Sequence, residues 1–339
     1  MRLSEVTTLR LGGPAREVVE ATTTDELIAA VADADDSGTP VLLVAGGSNL
    51  VVADEGFDGR VVLVRTSGDV VDQDACSGAT VTVAAGESWE ALVARAVGQE
   101  WIGIEALAGI PGSVGATPIQ NVGAYGQEVA QSIIRVRTWD RREGEVRTLA
   151  ADQCRFGYRT SRFKAEPGRH VVLDVAFQLR LGSLGAPVAY AELARTLGIE
   201  VGGRAPAAEV REAVLALRRG KGMVLDPADH DTWSAGSFFT NPVLAAEATE
   251  RLPSEAPRFV QPDGTVKTSA AWLISHAGFD RGHGTGAASL STKHALALTN
   301  RGDATTDELL ALAREVRDGV AARFGIELEP EPNLVGCAI

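Results

Sequence analysis

Cysteine is scarce in this chain: Cys76, Cys154 and Cys337 are the only three in 339 residues, and no two share a CxxC spacing. A disulfide framework and a structural zinc site are therefore excluded, and a reducing, cytoplasmic setting is expected. The five histidines, His170, His230, His276, His283 and His294, make no HxH, HExxH or Ser/His/Asp pattern, so no metal site is expected. His276, near a helix end, reads as structural. Apolar runs of about eighteen residues are missing, and the N-terminus MRLSEVTTLRLGG has no apolar core, which speaks against a membrane span and a signal peptide. Positive charge is outweighed, with 32 Lys and Arg against 45 Asp and Glu and a net charge of −13. Nucleic acid and anionic membranes are thus poor partners, and any anion site must be a local basic pocket. Nothing advertises an obligate interface, so a monomer is expected.

Glycine is plentiful, and it clusters. The stretch EALAGIPGSVGATPIQNVGAYGQEV (105–129) carries glycines at 109, 112, 115, 123 and 126, interleaved with small and amide residues. A backbone without Cβ atoms can turn tightly and press its N–H groups onto an anion, a pyrophosphate for example. A long Gly/Pro surface loop is the competing reading. A second glycine turn, AGGSNLVV (45–52), follows a buried β run at Val41–Val44. It lacks the GK[ST] of a P-loop and is not GxGxxG. Alone it reads equally as an ordinary strand-to-loop turn.

Periodicity places the elements around these stretches. Thr23–Glu26 is a capping box opening a helix to about Ala34. Strands are expected at Val61–Val64, Ala79–Val83 and Val171–Leu179, and a hairpin at Ile134–Trp139 and Val146–Leu149. Ser88 opens a helix with Leu92, Val93, Ala96 and Val97 on one face, stopped by Gly103. Residues 187–198 and 205–222 read as helices, 222–238 as loop. Beyond lie a short strand in FFTNPV (238–243), a helix over 270–277 and a strand over 295–299. A second capping box at Thr305 and Glu308 opens a long helix with Leu309, Leu312, Val316, Val320 and Phe324 inward. IELEPEP (326–332) reads as a closing strand.

Three further stretches bear on chemistry. CRFGYRTSRFK (154–164) packs Arg155, Arg159, Arg162 and Lys164 between aromatics, which in so acidic a chain favours an acidic-substrate site over a solvated charge face. SAGSFFTNP (234–242) brings small residues beside two Phe but has no GxSxG elbow. In LEPEPNLVG (328–336), Glu329 and Glu331 share a strand face and read locally as paired surface carboxylates.

Taken together, in order and over nearly the whole chain, AGGSNLVV, AGIPGSVGATPIQNVGAYG, CRFGYRTSRFK, AGSFFTNP, AAWLISHAGF, LSTKHALALTN and LEPE resemble the UDP-N-acetylenolpyruvoylglucosamine reductase family, in the form with an extra substrate-covering Tyr segment. The resemblance implies an α/β (α+β) fold. A two-part FAD-binding region of the vanillyl-alcohol-oxidase (PCMH) type would occupy 1–68 and 69–182. An α+β substrate-binding domain would occupy 183–339, with a covering segment at 183–230. It implies non-covalent FAD, NADPH as co-substrate, and reduction of UDP-N-acetylglucosamine enolpyruvate to UDP-N-acetylmuramate, with hydride to C3 and a proton to C2. Gly46, Gly47, Ser48, Asn49, Gly109, Ile110, Pro111, Gly112, Ser113, Gly115 and Ala116 would wrap the FAD pyrophosphate. Asn121, Gly123, Ala124 and Tyr125 would lie on the flavin side. The family's catalytic residues fall on Arg159, Ser237 and Glu331. Tyr190 and Lys221 would contact the UDP diphosphate, with Asn241 nearby. Another FAD oxidoreductase of the same fold, or a flavin- or nucleotide-binding sensor, are the competing readings; the SAGSFF and LEPE segments argue against the first, and the presence of all three catalytic residue types against the second.

Overall fold

The computed structural model describes residues 1–250 and 252–339. Two compact units emerge, one of Arg16–Gly46 and Asp58–Gly220, the other of Met1–Ala15, Gly47–Phe57 and Lys221–Ile339. They cut across the divisions expected at residues 68 and 182. One cause is a long-range pairing that no local pattern announces: Leu50–Val52 runs parallel to Asn333–Val335, so most of the AGGSNLVV turn joins the C-terminal unit.

The unit holding the long glycine stretch is built on two main sheets. In the smaller, Phe57–Val64 lies between Ala15–Ala21 and Val41–Val44. The helix Thr24–Asp36 has its expected capping box, Thr23 with Glu26, and buries Leu27, Val31 and Ala34. The larger sheet is ordered Glu145–Ala150, Ile133–Asp140, His170–Leu181, Gly78–Ala84, Asp69–Asp74, and the pairings are antiparallel. Trp101–Ile102 pairs with the end of His170–Leu181. The helix Trp89–Gly98 buries Trp89, Leu92, Val93 and Ala96. It stops at Gly98, before the expected Gly103, because residues 101–102 join the sheet instead.

Residues 183–220 of this unit carry shorter helices than expected. Ala191–Leu197 begins after Tyr190, which is its N-cap residue, and Ala207–Gly220 ends at the glycine. Buried Glu105 fastens the region's start. Its carboxylate accepts the Ala186 N–H at 2.5 Å, Gln127 Nε2 at 3.0 Å and the Gly103 N–H at 2.6 Å. Glu90 accepts both the Gly109 N–H and Arg211, so a carboxylate joins the glycine stretch to the helix Ala207–Gly220.

The other unit packs the helices Ala270–His276 and Thr306–Phe324 around one apolar cluster that includes Leu9, Phe238, Phe239, Leu273, Leu298, Val316 and Leu328. The Thr305–Glu308 capping box is present. Leu309, Leu312, Val316 and Val320 are buried, while Phe324 is half-buried. Three local expectations are corrected. IELEPEP forms no strand: Pro330 and Pro332 lack N–H donors, and pairing resumes at Asn333. FFTNPV gives a single bridge, Phe239 to Pro330, with strand beginning at Val243 after Pro242. The strand expected over 295–299 is Leu298–Asn300, because Ala297 is still turning onto the His294 carbonyl at 3.1 Å.

Candidate active site

Gly46, at the start of the AGGSNLVV turn, meets the long glycine stretch within one unit. A Cβ on Gly46 would lie 2.6 Å from the Cα of Gly112, and one on Gly115 would lie 2.5 Å from the Cβ of Ala85. Gly109 and Gly112 hold φ of +71° and +119°, open to glycine. Beside them Ser113 Oγ is buried with no hydrogen-bond partner among the described residues. A buried hydroxyl left unmatched costs free energy unless something accepts or donates there. Backbone pressed this close, with an unmatched hydroxyl, fits a bound pyrophosphate. Ile110, Pro111 and Gly112 are half-buried, and Ala116 is exposed.

The residues expected on the flavin side divide. Gly123 and Ala124 form a two-residue strand with Gln127–Glu128. Tyr125 is half-buried, and its ring meets Tyr190 edge-on, with centroids 5.6 Å apart and planes at 90°. Asn121 is buried, and its amide is engaged by the protein itself. Nδ2 donates to Glu128 Oε2 at 2.8 Å and to the Gly157 carbonyl at 3.0 Å, and Oδ1 accepts the Ala130 N–H at 3.1 Å.

Arg159 sits at φ +50° in a tight turn closed by Gly157 and Thr160. Its Nη2 donates to the Gly123 carbonyl at 2.9 Å. The basic run around it does not act as one cluster. Arg162 pairs with Glu166 at 3.0 Å, and Lys164 donates to the Arg159 carbonyl at 3.2 Å. Lys164 supports the turn, while Arg162 is paired along the helix that follows it.

Ser237 and Glu331 lie in the other unit, and there the backbone brings them together. The Glu331 N–H donates to the Phe238 carbonyl at 2.8 Å, the Thr240 N–H to the Glu329 carbonyl at 3.0 Å, and Phe239 bridges Pro330. Buried Phe238 and Phe239, ring centroids 5.1 Å apart, anchor this pairing, and Ser237 is half-buried at its start. The first glycine turn contributes here too. Asn49 Nδ2 donates to the Glu331 carbonyl at 3.3 Å, and the Asn333 N–H to the Asn49 carbonyl at 2.9 Å. Gly47, at φ +59°, would place a Cβ 1.9 Å from the Val6 carbonyl oxygen, so this turn admits only glycine. Asn241 Oδ1 accepts the Ala270 N–H at 3.0 Å, capping the helix Ala270–His276.

The loop over residues 222–236 is held by groups the sequence did not mark. Buried Asp231 accepts the Thr292 N–H at 2.9 Å, its hydroxyl at 2.5 Å and Arg301 at 2.8 Å, and Lys293 pairs with Asp229 at 2.5 Å. Glu90, Glu105 and Asp231 were all missed as site supports. For Glu105 a signal existed: a carboxylate opening a run of small, buried residues needs dedicated donors. Glu90 and Asp231 sit in ordinary helical and acidic-loop contexts that offer none. Among the described residues, no group of His, Cys, Asp and Glu could hold a metal ion.

Comparison with known proteins finds relatives over nearly the whole chain. A family model described as an FAD binding domain matches residues 15–150, and one described as the UDP-N-acetylenolpyruvoylglucosamine reductase C-terminal domain matches residues 226–335. The chain is 60% identical to the UDP-N-acetylenolpyruvoylglucosamine reductase of Cutibacterium acnes, over 99% of this chain and 90% of that protein. Identity to the Streptomyces coelicolor protein of the same name is 57%, with the same coverage. Among solved structures, the reductase of that name from Thermus caldophilus matches with a TM-score of 0.67 and 26% identity, over 99% of this chain and 97% of that one.

Proposed function

The chain belongs to the UDP-N-acetylenolpyruvoylglucosamine reductase family, and on that premise we propose which of its residues carry the reaction. The protein is an FAD-dependent oxidoreductase that reduces UDP-N-acetylglucosamine enolpyruvate to UDP-N-acetylmuramate with NADPH, in peptidoglycan precursor synthesis. FAD, when bound, supplies the hydride that reaches C3 of the enolpyruvyl group.

Gly46, Gly47, Ser48, Asn49 and residues 109–116 hold the FAD pyrophosphate through backbone N–H groups and short side chains. Adding hydride to C3 builds negative charge at C2 and in the adjoining carboxylate. Arg159, a fixed cation, stabilises that charge. Ser237 donates the proton that C2 takes up; its hydroxyl is a weak acid, but the developing carbanion is strongly basic. Glu331 orients these groups or assists proton delivery. Tyr190, Lys221 and Asn241 contact the UDP diphosphate, for which a cation and two neutral donors are suited. A UDP-linked substrate and a nicotinamide nucleotide suit the cytoplasm, and no helix among the described residues is long and apolar enough to cross a membrane. We take the working form to be a monomer that engages neither nucleic acid nor membrane.

The observation that carries this assignment is the backbone pairing of Phe238 with Glu331, which sets Ser237 beside the carboxylate segment. An anaerobic two-step experiment tests it. NADPH should bleach the FAD absorbance of both the parent protein and Ser237→Ala. The enolpyruvyl substrate should then restore it promptly in the parent and at least 100-fold more slowly in the variant, in line with the ~10²–10⁴-fold worth of a positioned acid. Prompt recovery in Ser237→Ala would remove Ser237 from the reaction.

A further inference from the structure

Asn121 stands in the glycine-rich stretch, where a cofactor contact is the natural expectation. Its hydrogen bonds run elsewhere. Both recorded Nδ2 bonds go to protein oxygens, Glu128 Oε2 and the Gly157 carbonyl, and Oδ1 takes the Ala130 N–H. Gly157 is two residues from Arg159, inside the turn that presents the guanidinium.

That turn is costly to hold. Arg159 sits at φ +50°, a left-handed conformation that costs a non-glycine residue about 1–2 kcal/mol, and Arg155 just ahead of the turn does the same. Such a turn persists where its surroundings hold it. Three bonds tie it to residues 119–123: Asn121 Nδ2 to the Gly157 carbonyl, Ser161 Oγ to the Ile119 carbonyl at 2.5 Å, and Arg159 Nη2 to the Gly123 carbonyl. Space is reserved as well. A Cβ at Gly123 would stand 2.9 Å from Glu128 Cγ and 3.3 Å from Arg159 Nη1, so glycine there leaves room for the guanidinium. Asn121 itself holds φ +49°, which asparagine tolerates better than most residues, and this lets one amide reach both Glu128 and Gly157.

We propose that Asn121 is a positioning residue for Arg159: its amide fixes the Gly157–Thr160 turn against the Gly123–Glu128 strand pair and so sets where the guanidinium meets developing charge. This rests on Arg159 being the charge-stabilising cation of the reaction. Asn121 then serves the substrate-reducing step and contributes little to FAD affinity or to reduction by NADPH.

The experiment uses the FAD-loaded protein and three variants, Asn121→Gly, Arg159→Ala and the double variant. Asn121→Gly removes the amide at a φ that glycine accepts. It should bind FAD and be bleached by NADPH within about 3-fold of the parent, yet be reoxidised by the enolpyruvyl substrate about 100-fold more slowly, the scale expected for a misplaced catalytic group. In the Arg159→Ala background the same substitution should slow reoxidation less than about 2-fold further, because the group being positioned is gone. A 10-fold loss of FAD affinity, an equal slowing of both steps, or independent, multiplying effects would overturn the inference. So would parent-like reoxidation of Asn121→Gly beside a crippled Arg159→Ala, and in that case the role of Arg159 still stands. Parent-like Arg159→Ala would remove the premise and the inference together. If Asn121→Gly does not accumulate folded, the isosteric Asn121→Asp, which replaces the donating amide by an acceptor, carries the same expectations.

Discussion

The rings of Tyr125 and Tyr190 meet edge to face, centroids 5.6 Å apart, joining the turn after Gly123–Ala124 to the start of the helix Ala191–Leu197. Burial pushes the Tyr125 hydroxyl up to about 12, with nearby Arg218 acting in the opposite sense. Tyr190 remains 47% exposed. One tyrosine is thus a fixed wall and the other an accessible group resting on it.

Tyr190→Phe should keep the ring contact and lose the hydroxyl, raising KM for the UDP substrate about 10-fold or more, as for one lost hydrogen bond to a charged group. Tyr190→Ala should do so and also lower thermal stability, by about 1 kcal/mol from the aromatic pair. Steady-state kinetics and thermal melts check both.

Tyr125 provides a pH test. A folded-state value above the unfolded one means that its contribution is complete below about pH 10 and is lost as pH rises towards 12. The stability difference between the parent and Tyr125→Phe should therefore change over that alkaline window and be flat between pH 6 and 9. Denaturant unfolding across the pH range measures it.

Gly46→Ala should weaken FAD binding by more than 10-fold, because the added Cβ would fall 2.6 Å from Gly112 Cα and force the two glycine stretches apart. Gly98→Ala, at the end of a helix with nothing within 4 Å of an added Cβ, should leave binding unchanged. Flavin fluorescence titration separates the two.

Asp140 is fully buried, and Arg169 at 2.7 Å with the N–H groups of Arg142 and Glu143 holds its carboxyl down to about 2. The unfolded chain takes up its proton at higher pH, so this stabilisation is present above about pH 4 and disappears as pH falls through about 2. Asp140→Asn should cost about 2 kcal/mol at neutral pH and nearly nothing below pH 2, read from denaturant midpoints at each pH.

Glu331→Gln should preserve the backbone pairing to Phe238 and Asn49, since those bonds use main-chain atoms. Substrate-driven reoxidation should fall about 100-fold or more, far beyond any change in melting temperature. A variant slowed only in proportion to its loss of stability would assign Glu331 to the scaffold.

Much of this protein is determined by local sequence. The capping boxes at Thr23–Glu26 and Thr305–Glu308 open helices where they stand, because a side chain three residues from its backbone partner needs no distant help. The polar turn after Ile134–Trp139 and the alternation of Val171–Leu179 likewise announced strands, which run over Ile133–Asp140 and His170–Leu181. The glycine runs marked places where backbone segments press together, since crowding by neighbouring backbone selects glycine. Tertiary structure decided the rest. Nothing local says that Asn49 will meet the Glu331 carbonyl or that the strand Leu50–Val52 belongs with Asn333–Val335, because those pairings close loops of more than 280 residues. Nor could composition show that Asn121 serves the Arg159 turn. An amide carries the same donors and acceptor wherever it stands, and only the three-dimensional positions of Gly157, Glu128 and Ala130 decide how they are used.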